Sequence, residues 1–241
     1  MALTLILIPG LLCDERVWIH QRAALADHVD VRVAENGLLD SLQALARAIL
    51  DKAPPRFAVA GHSMGGRVAL EVFRAAPGRV AGLALMDTGQ SPLPEGEAGQ
   101  REAEGRFALL AKARSQGMRA MAQDWVQGMV HPSRLTDAPL IDGILDMFES
   151  KSPDLYAAQI RALLNRPDCT PLLAAIRCPT LVLCGREDSW SPPERHEEIA
   201  AAIPGSTLVS IPDCGHMSTL ERPDAVNEAM RTWLRAAGTR T

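Results

Sequence analysis

The chain predicts an α/β fold: a mostly parallel sheet of about six strands flanked by helices, with one helical insertion. Six short apolar runs recur as candidate buried strands, at Leu3–Ile8, Val29–Ala34, Phe57–Gly61, Val80–Met86, Thr180–Cys184 and Thr207–Ile211. Helical stripes separate them, and strands apolar on both faces belong to a parallel sheet covered on both sides. One interval, from Ser91 to Ala175, carries helical patterns and no strand. Residues 1–90 and 176–241 are thus expected to form the core domain, and 91–175 a helical cap insertion.

The first run belongs to an apolar N-terminus, Met1 to Ile8, that lacks a basic segment and a small-residue cleavage site and is too short to cross a bilayer. It reads as the first strand of a cytoplasmic protein. After it comes Pro9-Gly10-Leu11-Leu12-Cys13-Asp14, a loop in which Gly10 permits a turn. Leu42, Leu45, Ala46, Ile49 and Leu50 then form a one-sided helical stripe.

The third run ends in Gly61-His62-Ser63-Met64-Gly65-Gly66, and beyond it Val68, Ala69, Val72, Phe73 and Ala76 recur at helical spacing. A G-x-S-x-G sequence between a strand and a helix sets its serine on a sharp turn, with the hydroxyl above the sheet. Gly61 and Gly65 flank it because side chains there would collide across the turn. The plain alternative is a serine that caps the helix.

Within the insertion, Met118, Met121, Trp125 and Met129 share one face. Leu140, Ile141, Ile144, Leu145 and Phe148 form a second stripe, and Leu155, Ile160, Leu163 and Leu164 a third. Helices inserted there would cover the carboxyl ends of the strands, where open α/β sheets bind ligands. After the fifth run, Ser191, Pro192 and Glu194 have the pattern of a capping box, which leaves Asp188 in the preceding loop. After the sixth stands Asp213-Cys214-Gly215-His216, and Val226, Ala229, Met230 and Trp233 make the closing helix.

A nucleophilic serine needs a base, and the base an orienting acid. Of six histidines, only His216 follows a strand in a short polar loop; His20, His28 and His196 read as solvated or half-buried helix residues. Asp188 is the matching acid, with Glu187 and Asp87 as rivals. The oxyanion formed on attack needs two donors, assigned to the backbone N–H groups of Met64, next to the nucleophile, and Leu11, in the first loop. Trp190, Trp125 and Phe148 are candidate pocket-lining residues.

Composition narrows the partners. A net charge of −4, without a Lys/Arg run, argues against nucleic acid, and no segment argues for a membrane. No basic cluster stands out as a clamp for carboxylate or phosphate, which favours an uncharged acyl group. Five scattered cysteines lack C-x-x-C spacing, so neither a zinc site nor a disulfide framework is expected, though Cys13 and Cys214 lie near the motifs and would be open to thiol reagents.

Taken together, these residues resemble the α/β-hydrolase superfamily over nearly the whole chain, and most of all its small carboxylesterases, such as pimeloyl-carrier-protein methyl esterases. The order Ser63, Asp188, His216 is that superfamily's order. The resemblance implies ester cleavage through an acyl-enzyme, with a small-molecule ester as substrate and no metal or organic cofactor. Carbon–carbon bond hydrolases, lactonases, thioesterases and cofactor-free perhydrolases reuse the same triad, and a non-catalytic binding protein is the alternative of another class. Two departures stand out. The antiparallel strand pair that usually opens the fold is missing, and Pro9-Gly10-Leu11 replaces a common His-Gly sequence, which weakens the carbon–carbon hydrolase reading.

Overall fold

A computed structural model describes residues 3–238; Met1, Ala2 and residues 239–241 lie outside the described residues. Strands β1 (Thr4–Ile8), β2 (Asp30–Val33), β3 (Phe57–His62), β4 (Val80–Met86), β5 (Thr180–Gly185) and β6 (Thr207–Ile211) form one sheet in the order β2-β1-β3-β4-β5-β6. Every neighbouring pair is parallel. The four inner strands are buried at every residue, whereas β2 and β6, at the edges, alternate or face solvent. The six apolar runs therefore are the six strands, with ends shifted by a residue or two.

Helices α1 (Ile19–Leu25), α2 (Leu42–Lys52), α3 (Met64–Ala75), α9 (Pro193–Ala202) and α11 (Pro223–Gly238) cover the sheet, and a short α10 (Ser218–Glu221) precedes the last of them. Right-handed crossovers dictate which face each takes. The chain steps from β1 outward to β2 and then in the opposite direction from β3 to β6, so α1 lies on one face and α2, α3 and α9 on the other. The pairings agree: α1 packs on α11, and α2 on α3. At Gly82 the sheet and α11 meet so closely that a Cβ would lie 2.8 Å from that of Ala237.

This reversal puts a topological switch point between β1 and β3. The loops leaving those strands part to opposite faces and open a crevice at the carboxyl edge. Between β4 and β5 the chain runs through α4 (Glu97–Gln116), α5 (Met118–Trp125), α6 (Ala138–Glu149), α7 (Pro153–Leu164) and α8 (Thr170–Leu173). Three of the stripes read in the insertion fall on α5, α6 and α7. Met121, Ile144, Phe148 and Ile160 on them are fully inaccessible, whereas Trp125, Leu140, Ile141, Leu155 and Leu164 are half-buried. The longest helix, α4, has no continuous apolar stripe and buries only Gly99, Leu110 and Ala113. Among the described residues no helix is long and apolar enough to cross a membrane.

Candidate active site

Ser63 alone makes the turn from β3 to α3. Its backbone is held at φ 55° and ψ −118°, a conformation that costs a non-glycine residue about 1–3 kcal/mol. The surroundings enforce it. A Cβ on Gly61 would lie 2.1 Å from the Gly65 carbonyl oxygen, and one on Gly65 2.1 Å from that of Ile8. The Ser63 N–H donates to the Met86 carbonyl at 2.8 Å, and its own carbonyl accepts from the Thr88 hydroxyl at 2.7 Å. The Ser63 hydroxyl makes no capping bond to α3, so the plain capping reading fails. Its Oγ instead stands 2.8 Å from His216 Nε2.

His216 sits between β6 and α10, with its backbone N–H bound to the Met129 carbonyl at 2.8 Å. Its Nδ1–H donates to Asp188 Oδ2 at 2.8 Å. Burial alone would lower the imidazole pKa, but the charge and hydrogen bond of Asp188 outweigh it and leave the value raised above 6.5. Burial pushes the Asp188 carboxyl up, and His216 together with two backbone donors brings it below its usual range. Those donors are the N–H groups of Trp190 and Ser191, each 2.9 Å from Oδ1. The capping box needs correction here. Helix α9 starts at Pro193 with Pro192 as its cap and no side-chain cap bond, while Ser191 lies outside the helix with its N–H bound to Asp188.

Both rival acids do other work. Glu187 accepts from the Cys214 N–H at 2.9 Å. Asp87, fully buried at the end of β4, accepts from the Gly185 N–H at 3.0 Å and the Ser218 hydroxyl at 2.5 Å. Burial and the nearby Asp188 charge push its pKa well up.

Three supporting residues escape sequence reading. His62 packs edge-on to Trp18, and its Nε2–H donates to the His216 carbonyl at 2.8 Å. Burial and neighbouring His216 push its pKa down to about 3, so it is a neutral strut. Glu221 accepts the N–H groups of His131, Gly215 and Met217 at 2.8, 3.0 and 3.1 Å, fastening the histidine loop to the insertion. His196, expected to be solvated or half-buried, is fully buried and accepts from the Thr88 N–H at 2.9 Å. No local pattern marks these roles, since the bonds of His62 to His216, of Glu221 to His131 and of His196 to Thr88 each join positions 90 or more apart.

The first loop lies against Ser63. A Cβ on Gly10 would be 3.0 Å from His62 Nδ1 and 3.2 Å from Ser63 Cβ. The Cys13 N–H closes the turn onto the Gly10 carbonyl at 3.1 Å, with Leu12 at φ 59°. A positive φ at the third position suits glycine, and here a bond holds it: the Leu12 N–H donates to Gln159 Oε1 of α7 at 2.8 Å. Leu11 and Met64 line the same cleft as Ser63. Asp14, one step on, caps a short 3₁₀ turn and pairs with Arg16 and Lys151.

That cleft measures about 510 Å³ and is also lined by Trp125, Tyr156, Trp190 and His216. Trp125 and Trp190 stack with centroids 5.2 Å apart, and Trp190 lies 5.0 Å from the His216 ring. Phe148 is not part of the lining. It is wholly buried behind Trp125 and borders only a small void of about 10 Å³ beside Ser63. Cys13 and Cys214 are buried too, rather than open to reagents, and burial raises both thiols, Cys13 to about 12. A larger cleft, about 1000 Å³, includes Thr4 at the start of β1 and so lies at the opposite end of the strands from Ser63.

The sequence offers no basic cluster, yet basic side chains gather in the cleft. Arg67, Arg101, Arg106, Arg166 and Arg195 line the cleft with Ser63, against Glu102 and the buried Asp87. They come from segments spread over much of the chain, so no run of basic residues announces them.

Residues 5–229 match the alpha/beta hydrolase family. Among solved structures, the chain is similar to a thermophilic esterase from Thermogutta terrifontis with malate bound, at 32% identity and a TM-score of 0.87 over 99% of this chain and 92% of that one. It is also similar to the enol-lactonase from Burkholderia xenovorans LB400, at 26% identity and a TM-score of 0.84, covering 98% and 92%. A curated relative, the 2-hydroxy-6-oxononadienedioate/2-hydroxy-6-oxononatrienedioate hydrolase of Escherichia coli K12, is 26% identical over 196 residues. That match takes in 72% of this chain and 60% of the relative's own length. With the family matched over nearly the whole sequence and the six parallel strands in place, the chain belongs to the alpha/beta hydrolase family.

Proposed function

We propose that the chain is a serine carboxylesterase acting on small-molecule esters. One observation carries the reading: an unbroken relay, 2.8 Å from Ser63 Oγ to His216 Nε2 and 2.8 Å from His216 Nδ1 to Asp188 Oδ2, that opens on a cleft. In this reading Ser63 attacks the ester carbonyl while His216 takes its proton. Asp188 fixes the imidazole tautomer and stabilises the imidazolium. The N–H groups of Leu11 and Met64 hold the oxyanion, each worth about 2.7–4 kcal/mol in the transition state. His216 then protonates the leaving alcohol and activates the water that clears the acyl-enzyme.

Residues 91–175 act as the cap over a core of 1–90 and 176–241. Trp125 and Trp190 give the cleft an apolar wall. The esterase from Thermogutta terrifontis supports this reading. Lactone opening is the second reading, favoured by the likeness to an enol-lactonase, and it uses the same attack on a cyclic ester.

Ser63→Ala tests the assignment. Turnover of short-chain p-nitrophenyl esters should vanish, and a p-nitrophenyl alkylphosphonate, losing p-nitrophenolate to Ser63 Oγ, should label the native protein at Ser63 alone. Unchanged kcat in the variant would refute the nucleophile. A native protein that neither turns over esters nor takes the label would be a binding protein instead.

A further inference from the structure

Three of the five cleft arginines have a carboxylate partner within the protein, two of them the same one. Arg166 grips Glu102 through two bonds of 2.8 Å, Arg106 reaches the same carboxylate at 2.9 Å, and Arg101 pairs with Glu97 at 2.9 Å. These contacts pull the Glu102 carboxyl down to about 2, although burial opposes them. Arg67 and Arg195 differ. Among the described residues neither has a carboxylate partner. Arg67 Nη1 is tethered to the Ser91 carbonyl at 2.8 Å, and Arg195 Nη1 to that of Trp190 at 3.3 Å.

The two guanidiniums converge on one point. A Cβ on Gly89 would lie 2.9 Å from Arg67 Nη2 and 3.3 Å from Arg195 Nη1. Arg67 stands four residues past Ser63 on α3, one turn or about 6 Å along the axis. Arg195 is carried by α9, just past the acid loop. Burial, and then the like charges of Arg166 and Arg195, push Arg67 down to about 9. Like charges crowded at one wall of a cleft, with no carboxylate bound to either Arg67 or Arg195, are relieved by an anion held between those two.

We infer that Arg67 and Arg195 form a carboxylate-binding subsite, and that the ester hydrolysed carries a carboxylate a few carbons from its scissile carbonyl. The inference rests on the esterase reading for the reaction, but not for the binding. Guanidinium is suited to the subsite because its planar fork can donate to both carboxylate oxygens.

The experiment compares monomethyl with dimethyl glutarate, and monomethyl with dimethyl adipate, in kcat/KM per ester bond. Each pair has one chain length and differs only in the free carboxylate. The native protein should favour the monomethyl esters about tenfold or more, from charge-assisted bonds. High salt should shrink that preference. In Arg67→Gln and, separately, in Arg195→Gln, the monomethyl-to-dimethyl ratio should fall about tenfold, through KM rather than kcat. The ratio is taken within each variant, so partial misfolding does not change it, and the two substitutions lie on different helices. A native ratio near one, or a ratio unchanged in both variants, overturns the subsite.

If no ester is turned over at all, the esterase reading fails and binding decides the subsite. Calorimetry should detect glutarate binding to Ser63→Ala and lose it when Arg67→Gln is added. Absent or undiminished binding would overturn the inference.

Discussion

In the proposed reaction the His216 imidazole must be neutral to accept the Ser63 proton, so its pKa would set the acid limit of turnover. Burial works against the charged ring, yet Asp188 at 2.8 Å, with help from Asp87 and Glu221, raises the value above 6.5. A raised pKa means the base is lost sooner as pH falls. In the proposed reaction kcat/KM should therefore decline through a midpoint above 6.5, measured as a pH–rate profile on a neutral ester. Asp188→Asn removes the charge and the tautomer control together. It should move that midpoint downward and lower kcat by a factor on the order of 10⁴. A native midpoint below 6.5, or an unshifted one in the variant, would contradict this assignment of roles.

At the scale of elements, the loop after β1 depends on a helix of the insertion. Leu12 stands at φ 59° with its N–H bound to Gln159 Oε1 of α7, across 147 positions of sequence. Replacing Gln159 by Leu would leave that buried N–H without an acceptor, at a cost of about 1–3 kcal/mol. The turn is already strained, so the cost should appear as a loosened Leu11 N–H. Gln159→Leu should lower kcat about ten- to a hundredfold, with KM for a neutral ester changed much less. Unaltered kcat would show that the turn holds without α7. Sequence reading does not reach this bond, because a lone glutamine on an apolar helix face has no local mark of its partner.

For the whole molecule, buried neutral histidines govern acid stability. Burial drives His196 down to about 4, and its ring is already committed to Thr88 and Pro192. The unfolded chain takes up this proton near pH 6.5, while the folded chain refuses it until about 4. The contribution is complete above 6.5 and is lost as pH falls from there toward 4, about 2 kcal/mol between pH 7 and pH 5. Urea denaturation of His196→Gln should therefore show a shallower fall in stability over that range, by about 2 kcal/mol. Parallel pH profiles would exclude a neutral buried His196.

Legibility followed distance along the chain. The strands could be read because each is a contiguous apolar run, and the Ser63 turn because Gly61 and Gly65 mark it within five residues. The Asp188 and His216 loops could be read because each directly follows a strand. The arginine wall, the His62 strut and the Glu221 clasp could not, since each is assembled from positions the fold alone brings together. Helix α4 was obscured for the opposite reason: it buries so little that it carries no stripe.

Glu221 has a mechanical consequence. Its carboxylate ties the loop carrying His216 to His131, while the His216 N–H ties back to Met129, so residues 129–131 and the histidine loop move as one piece. A gate hinged at that piece would drag the imidazole off the serine each time it swung. In the proposed reaction, turnover without such a misfire needs a still floor and a doorway elsewhere, and the exposed cleft residues Ser91, Pro92, Pro94, Arg101 and Gly105 mark the open side, at α4 and the segment before it. A substrate entering there would pass the arginines before it met the nucleophile.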